Sequence, residues 1–131
     1  MQDFMDHKTA GIIVAFISVT FALFHLLVIL GVVPDTIVWG GKIQDRQKLV
    51  VMELVSMIIL ITAGTLAMLR GLQVNGGYVS PLLTVIMWLF AALLAFNSFG
   101  NLFAETAFER WAFTPVTVLL SLMFIRLALK N

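Results

Sequence analysis

Cysteine is absent from the 131 residues, which removes disulfides, thiol nucleophiles and cysteine metal sites together. Charge is nearly as scarce: Asp, Glu, Lys and Arg make up 11% of the chain, and the formal net charge is +1. Nucleic acid therefore has no basic surface to bind, and no nucleic-acid partner is expected. No glycine-rich phosphate loop or strand-borne nucleophile elbow is present. Histidine occurs twice. One histidine and one acid inside the apolar runs make a poor metal site, because a stable one wants three or four ligands. His7 is too far along the chain, and on the wrong side, to help. No metal and no other cofactor is expected, and no catalytic residue is assigned.

What remains is apolar. At 61% hydrophobic residues, the chain carries more apolar surface than a soluble domain of this length could hide. Crossing a bilayer takes about 20 mostly apolar residues, and four such runs are present, over about 9–33, 48–70, 80–103 and 115–130. Residues 1–131 therefore read as a single domain of the all-α membrane class, a four-transmembrane-helix antiparallel bundle with short connections. The first run is too long for a signal-peptide core and follows Asp3 and Asp6, so it reads as a retained helix. Phe4 and Met5 in the lead can lie at the interface.

The connections carry their own signals. Pro34 closes helix one, and PDTIVWGGKIQ after it is apolar enough to dip into the interface, with Trp39 at headgroup level. Asp45 suits the N-cap of helix two. Asn75-Gly76-Gly77 marks a turn within the second connection, residues 71–79, and Ser80-Pro81 starts helix three. Residues 104–113, AETAFERWAF, read as a short amphipathic surface piece before Thr114-Pro115 opens helix four. Ala91, Ala95 and Ser98 have close-packing spacing on helix three, and Arg126 can snorkel from helix four to the headgroups.

Four spans place both termini on one side. Lys8, Arg70, Arg126 and Lys130 lie toward that side, and Lys42, Arg46, Lys48 and Arg110 toward the other. The tie leaves orientation undetermined and permits dual insertion.

The polar residues inside the spans share one half of the membrane. At ~1.5 Å per residue, Glu53 lies ~8 Å below the Lys48 end of helix two, His25 ~12 Å below Val33, and Asn97 ~9 Å below Phe103. Asn97 and Asn101 are spaced i,i+4 and share a helix face. Glu53, Ser56 and Leu60 share another, as do Thr114, Thr117 and Ser121. Hydrocarbon offers such groups no partner, so each face turns inward. The expected result is a polar hollow around Glu53, His25, Asn97 and Asn101, with Trp39, Trp111, Thr114 and Thr117 at its mouth, on the side of Glu105 and Glu109. Every one of these residues also has a plainer reading as interhelical glue or interfacial packing.

HLLVILGVVPDTIVWGGKI, the Glu53 helix and NSFGNLFAETAFERWAFTPVTVLLSLMFIRLAL resemble a group of small uncharacterised bacterial four-span membrane proteins. The marks are His25, Trp39-Gly40-Gly41, Glu53, Gly100-Asn101, Glu109, Thr114-Pro115 and Arg126. The resemblance covers most of the chain and implies a fold but no activity. Small multidrug-resistance exporters have similar length and four helices, but carry their essential glutamate in the first helix, where this chain has His25. Sterol-isomerase-like membrane proteins gather similar residues without sharing a motif with this chain.

The expected function is binding, and in a homodimer translocation, of a small amphipathic or cationic ligand within a bacterial inner membrane. Glu53 is the expected anionic or proton site. The alternatives are a non-catalytic accessory subunit and a small intramembrane isomerase using His25 and Glu53.

Overall fold

The computed structural model describes residues 5–129; Asp3, Phe4 and Lys130, used above for the polar lead and the charge tie, lie outside them. Among the described residues there are four long helices and no strand. Each contains an apolar stretch long enough to cross a membrane, as expected of a multi-pass membrane protein.

Helix α1, His7–Ile29, starts where Asp6 accepts a hydrogen bond from the Thr9 amide at 2.8 Å. It ends short of residue 33 because Gly31 adopts a left-handed conformation, φ 80°. Two 3-10 turns follow, Asp35–Ile37 and Trp39–Gly41. Helix α2, Arg46–Asn75, is capped by Asp45 through the Gln47 amide at 3.0 Å. It does not stop at Arg70. Gly71 is a packing residue rather than a breaker: a Cβ there would lie 2.6 Å from the His7 carbonyl oxygen.

Helix α3, Pro81–Leu102, begins with Ser80 accepting from the Leu83 amide. The expected surface piece at 104–113 is corrected in its second half. Glu109–Phe113 forms a π-helical turn that runs directly into α4, Thr114–Ala128, so the fourth apolar span covers Glu109–Ala128. Pro115 has no N–H for the Trp111 carbonyl, and its ring crowds that group, so the turn before it widens.

The helices form two hairpins. Helix α1 packs along α2 and α3 along α4, the hairpins meet through α1 and α4, and α2 and α3 barely touch. The central core joins Ala10, Val14, Ala67, Met87, Phe124 and Leu127 from all four helices. The α1–α2 seam depends on missing side chains. A Cβ on Gly11 would meet the Ala67 carbonyl oxygen at 2.7 Å, and one on Gly64 would meet Ser18 at 3.1 Å. Such close backbone approach is how helices gain contact where lipid competes equally for apolar groups. Gly11→Ala or Gly71→Ala is therefore expected to cost about 1–3 kcal/mol by overpacking, measured by unfolding in mixed micelles. Gly31→Ala serves as a control for left-handed strain, since no atom lies within 4 Å of its added Cβ.

Between α3 and α4 the polar groups pair. The Ser98 and Thr117 hydroxyls meet at 2.8 Å, and Ser121 Oγ donates to the Ala91 carbonyl at 2.8 Å. At the end of the bundle away from Glu53, two arginines turn inward. Arg70 Nε donates to Leu127 O at 2.9 Å and its Nη1 to Ser80 O at 3.2 Å. Arg126 is 2% exposed and its Nε donates to Met5 O at 2.7 Å. The snorkelling expected of Arg126 is thus corrected: unpaired carbonyls at neighbouring chain ends draw the guanidinium in.

Candidate functional site

Glu53 faces its sister helices and is completely buried. Its Oε2 pairs with His25 Nδ1 of α1. Its Oε1 accepts a hydrogen bond from the Trp39 indole at 2.7 Å. Because an indole N–H can only donate, Oε1 is an acceptor. With Glu53 ionised, Nδ1 must also donate, which leaves the lone pair of a neutral imidazole on Nε2. That second nitrogen makes no hydrogen bond among the described residues and is not sealed from access.

The connection after α1 builds one corner of the site. Trp39 has φ 52°, a left-handed conformation costly for a non-glycine residue, and Gly41 follows at φ 70°. The indole–carboxylate bond accompanies this strained turn. Val38 beside it is 2% exposed and packs with Val28 and Leu49 into a second small core. Thr106 Oγ1 donates to Ile37 O at 3.4 Å. Arg46 donates to Val28 O at 3.4 Å and to Ile29 O, tying α2 back to the end of α1. Where a dip into the interface is expected, the structure has two 3-10 turns that lay the Trp39 indole against Glu53.

His25 and Trp39 form one wall of a cleft of about 350 Å³. It lies in the gap where α2 and α3 fail to meet, with Ser56 and Leu60 on α2 and Asn97 and Asn101 on α3. Phe21, Phe113 and Thr117 contribute from α1 and α4. Its volume is in the range of small-molecule sites, about 300–1,000 Å³. The i,i+4 face of α3 thus does turn to the cleft, but neither asparagine is bonded to Glu53, whose two oxygens are taken by His25 and Trp39. Glu53 stands behind the wall and does not line the cleft.

The expected mouth needs correction. Trp39 is a direct partner of Glu53. Trp111 is 75% exposed on the outside of the bundle, and Thr114 lines a separate hollow with Ala95 and Ser98. Trp111 is expected at the mouth as part of a surface segment and Thr114 through the face it shares with Thr117, whereas the π-turn joins both to helix four and changes the phase between them. Thr117 alone of the helix-four pair lines the cleft. Glu105 lies outside in a surface ion pair with Lys42 at 3.1 Å, whereas Glu109, on the π-turn, is buried and lines the cleft. The Phe21–Phe24–Phe108–Phe113 cluster behind it was not foreseen; Phe24 and Phe113 meet edge to face at 5.4 Å. Spacing of four aromatic residues across two distant segments held no signal for it.

Among the described residues no group of three or more His, Asp or Glu side chains could hold a metal. The arrangement can do one thing chemically: present an acid-backed imidazole to a lipophilic molecule, as hydrogen-bond acceptor or proton carrier. The chain matches no protein-family model, no curated protein and no solved structure.

Proposed function

We propose that this is a bacterial inner-membrane protein, with both termini on one side, that binds a small amphipathic molecule in the cleft between α2 and α3. The observation that carries the reading is the Glu53–His25–Trp39 arrangement. A buried carboxylate with both oxygens engaged fixes a ring that lines an apolar cavity and whose other nitrogen makes no hydrogen bond among the described residues. Helix glue needs only the ring nitrogen that meets Glu53, whereas a binding site makes use of the second one as well. The cationic half of the earlier expectation has less support, because Glu53 is screened from the cleft by its own partners. Four helices leave a cleft rather than a channel, so translocation would fall to a dimer.

Native mass spectrometry of the protein extracted into native nanodiscs tests the reading. The expected result is a non-phospholipid molecule retained by the wild type and lost from Leu60→Trp, which fills the cleft while leaving the His25–Glu53 pair. Phospholipid alone, unchanged in Leu60→Trp, would instead support the accessory-subunit reading. The His–Glu couple also suits proton transfer at carbon, as in an isomerase. In that case Glu53→Gln would retain the molecule while losing its conversion.

A further inference from the structure

Resting on that reading of the cleft, we infer that its ligand is a neutral, bilayer-dissolved compound with a hydroxylated flat ring, of the phenol or hydroquinone class, entering sideways from the lipid. Access decides the solvent it comes from. At the loop end stand Val38, 2% exposed, and Trp39, 38% exposed and held by its bond to Glu53. The side is open, because α2 and α3 scarcely meet, and the cleft is rimmed there by Ile59, Leu93 and Phe96, the last 80% exposed toward lipid.

Charge decides the head group. An anion would approach a wall already backed by the Glu53 carboxylate and shared with Glu109. A cation would find Glu53 occupied on both oxygens and Glu109 already engaged. A neutral hydroxyl suits the wall. Nε2 of His25 offers a lone pair, and the Asn97 and Asn101 carboxamides offer both donors and acceptors across the cleft. Ser56 already donates to Met52 O at 3.0 Å, so its hydroxyl can only accept from a ligand. Shape decides the ring: Phe21, Phe113, Trp39 and Phe96 give the cleft aromatic walls, which favour a flat partner.

The chain's two histidines make the test clean, because His7 lies at the other end of the bundle, bonded to Leu129 O at 2.6 Å. Full-length protein labelled with 15N-histidine is placed in nanodiscs and titrated with 4-nonylphenol, or with its methyl ether, 4-nonylanisole. The expected result is a saturable shift of His25 Nε2 with the phenol. The ether should bind roughly tenfold or more weakly, because a site built to bond a hydroxyl rejects the analogue lacking it. His7 should not move, and Leu60→Trp should abolish the response. Equal responses to phenol and ether would overturn the ligand class while leaving the cleft as a binding site. No response at His25, or an equal one at His7, would overturn the inference, and the co-purified molecule in the nanodisc experiment would still decide the broader reading separately.

Discussion

Glu53→Leu is expected to destabilise the folded protein by about 3–5 kcal/mol, and His25→Leu by a similar amount, because each leaves the other member of a buried pair uncompensated. The effect is large because Glu53 is fully buried and the His25 side chain only 14% exposed, in a span where hydrocarbon supplies no substitute partner. The double variant should be less damaged than the sum of the two, with a coupling of about 2–3 kcal/mol. Trp39→Phe keeps the ring but removes the indole donor from Oε1, and should cost about 1–3 kcal/mol. Reversible unfolding in mixed SDS micelles measures all four variants. Strict additivity of the two leucine variants would mean that the His25–Glu53 contact contributes nothing as a pair.

Arg70→Met should have the next largest effect, a loss of about 3 kcal/mol, given about 1.5–3 kcal/mol for each hydrogen bond made by a charged donor. Arg70 is 0% exposed and bridges three helices: it sits on α2, holds Leu127 O near the end of α4, and holds Ser80 O at the start of α3. The carbonyls at a helix C-terminus have no partner within the helix and carry partial negative charge, which suits a guanidinium. Arg70→Lys should not rescue, since a single ammonium lacks the fork that reaches both carbonyls. Hydrogen exchange at the end of α4 should accelerate in both variants. Buried ionic groups are sometimes replaced by apolar ones without loss, and a neutral or stabilised Arg70→Met would place this one in that class, its Nη2 already lacking a partner.

The ends of the molecule show how far local signals reach. Asp45 and Ser80 cap their helices as their residue types require, since a cap is a bond between neighbours in sequence. Gly71 and Arg126 went the other way. A glycine near a turn signal reads as a helix end, and an arginine near a helix end reads as a snorkelling side chain. Each reading holds only if nothing lies opposite. Here the His7 backbone lies against Gly71, and the Met5 carbonyl lies within reach of Arg126.

Composition and hydropathy alone determined four apolar spans, a single bundle and the inward turn of a lone intramembrane acid, because the bilayer penalises every exposed polar group regardless of neighbours. Only the tertiary structure decided that His25 and Trp39 engage both oxygens of Glu53, that the asparagines face across a gap, and that Trp111 points away. Those outcomes depend on which helices pair. The hairpins join through α1 and α4, leaving α2 and α3 apart, and a π-turn resets the phase of the last helix. Neither follows from the order of residues along any one helix.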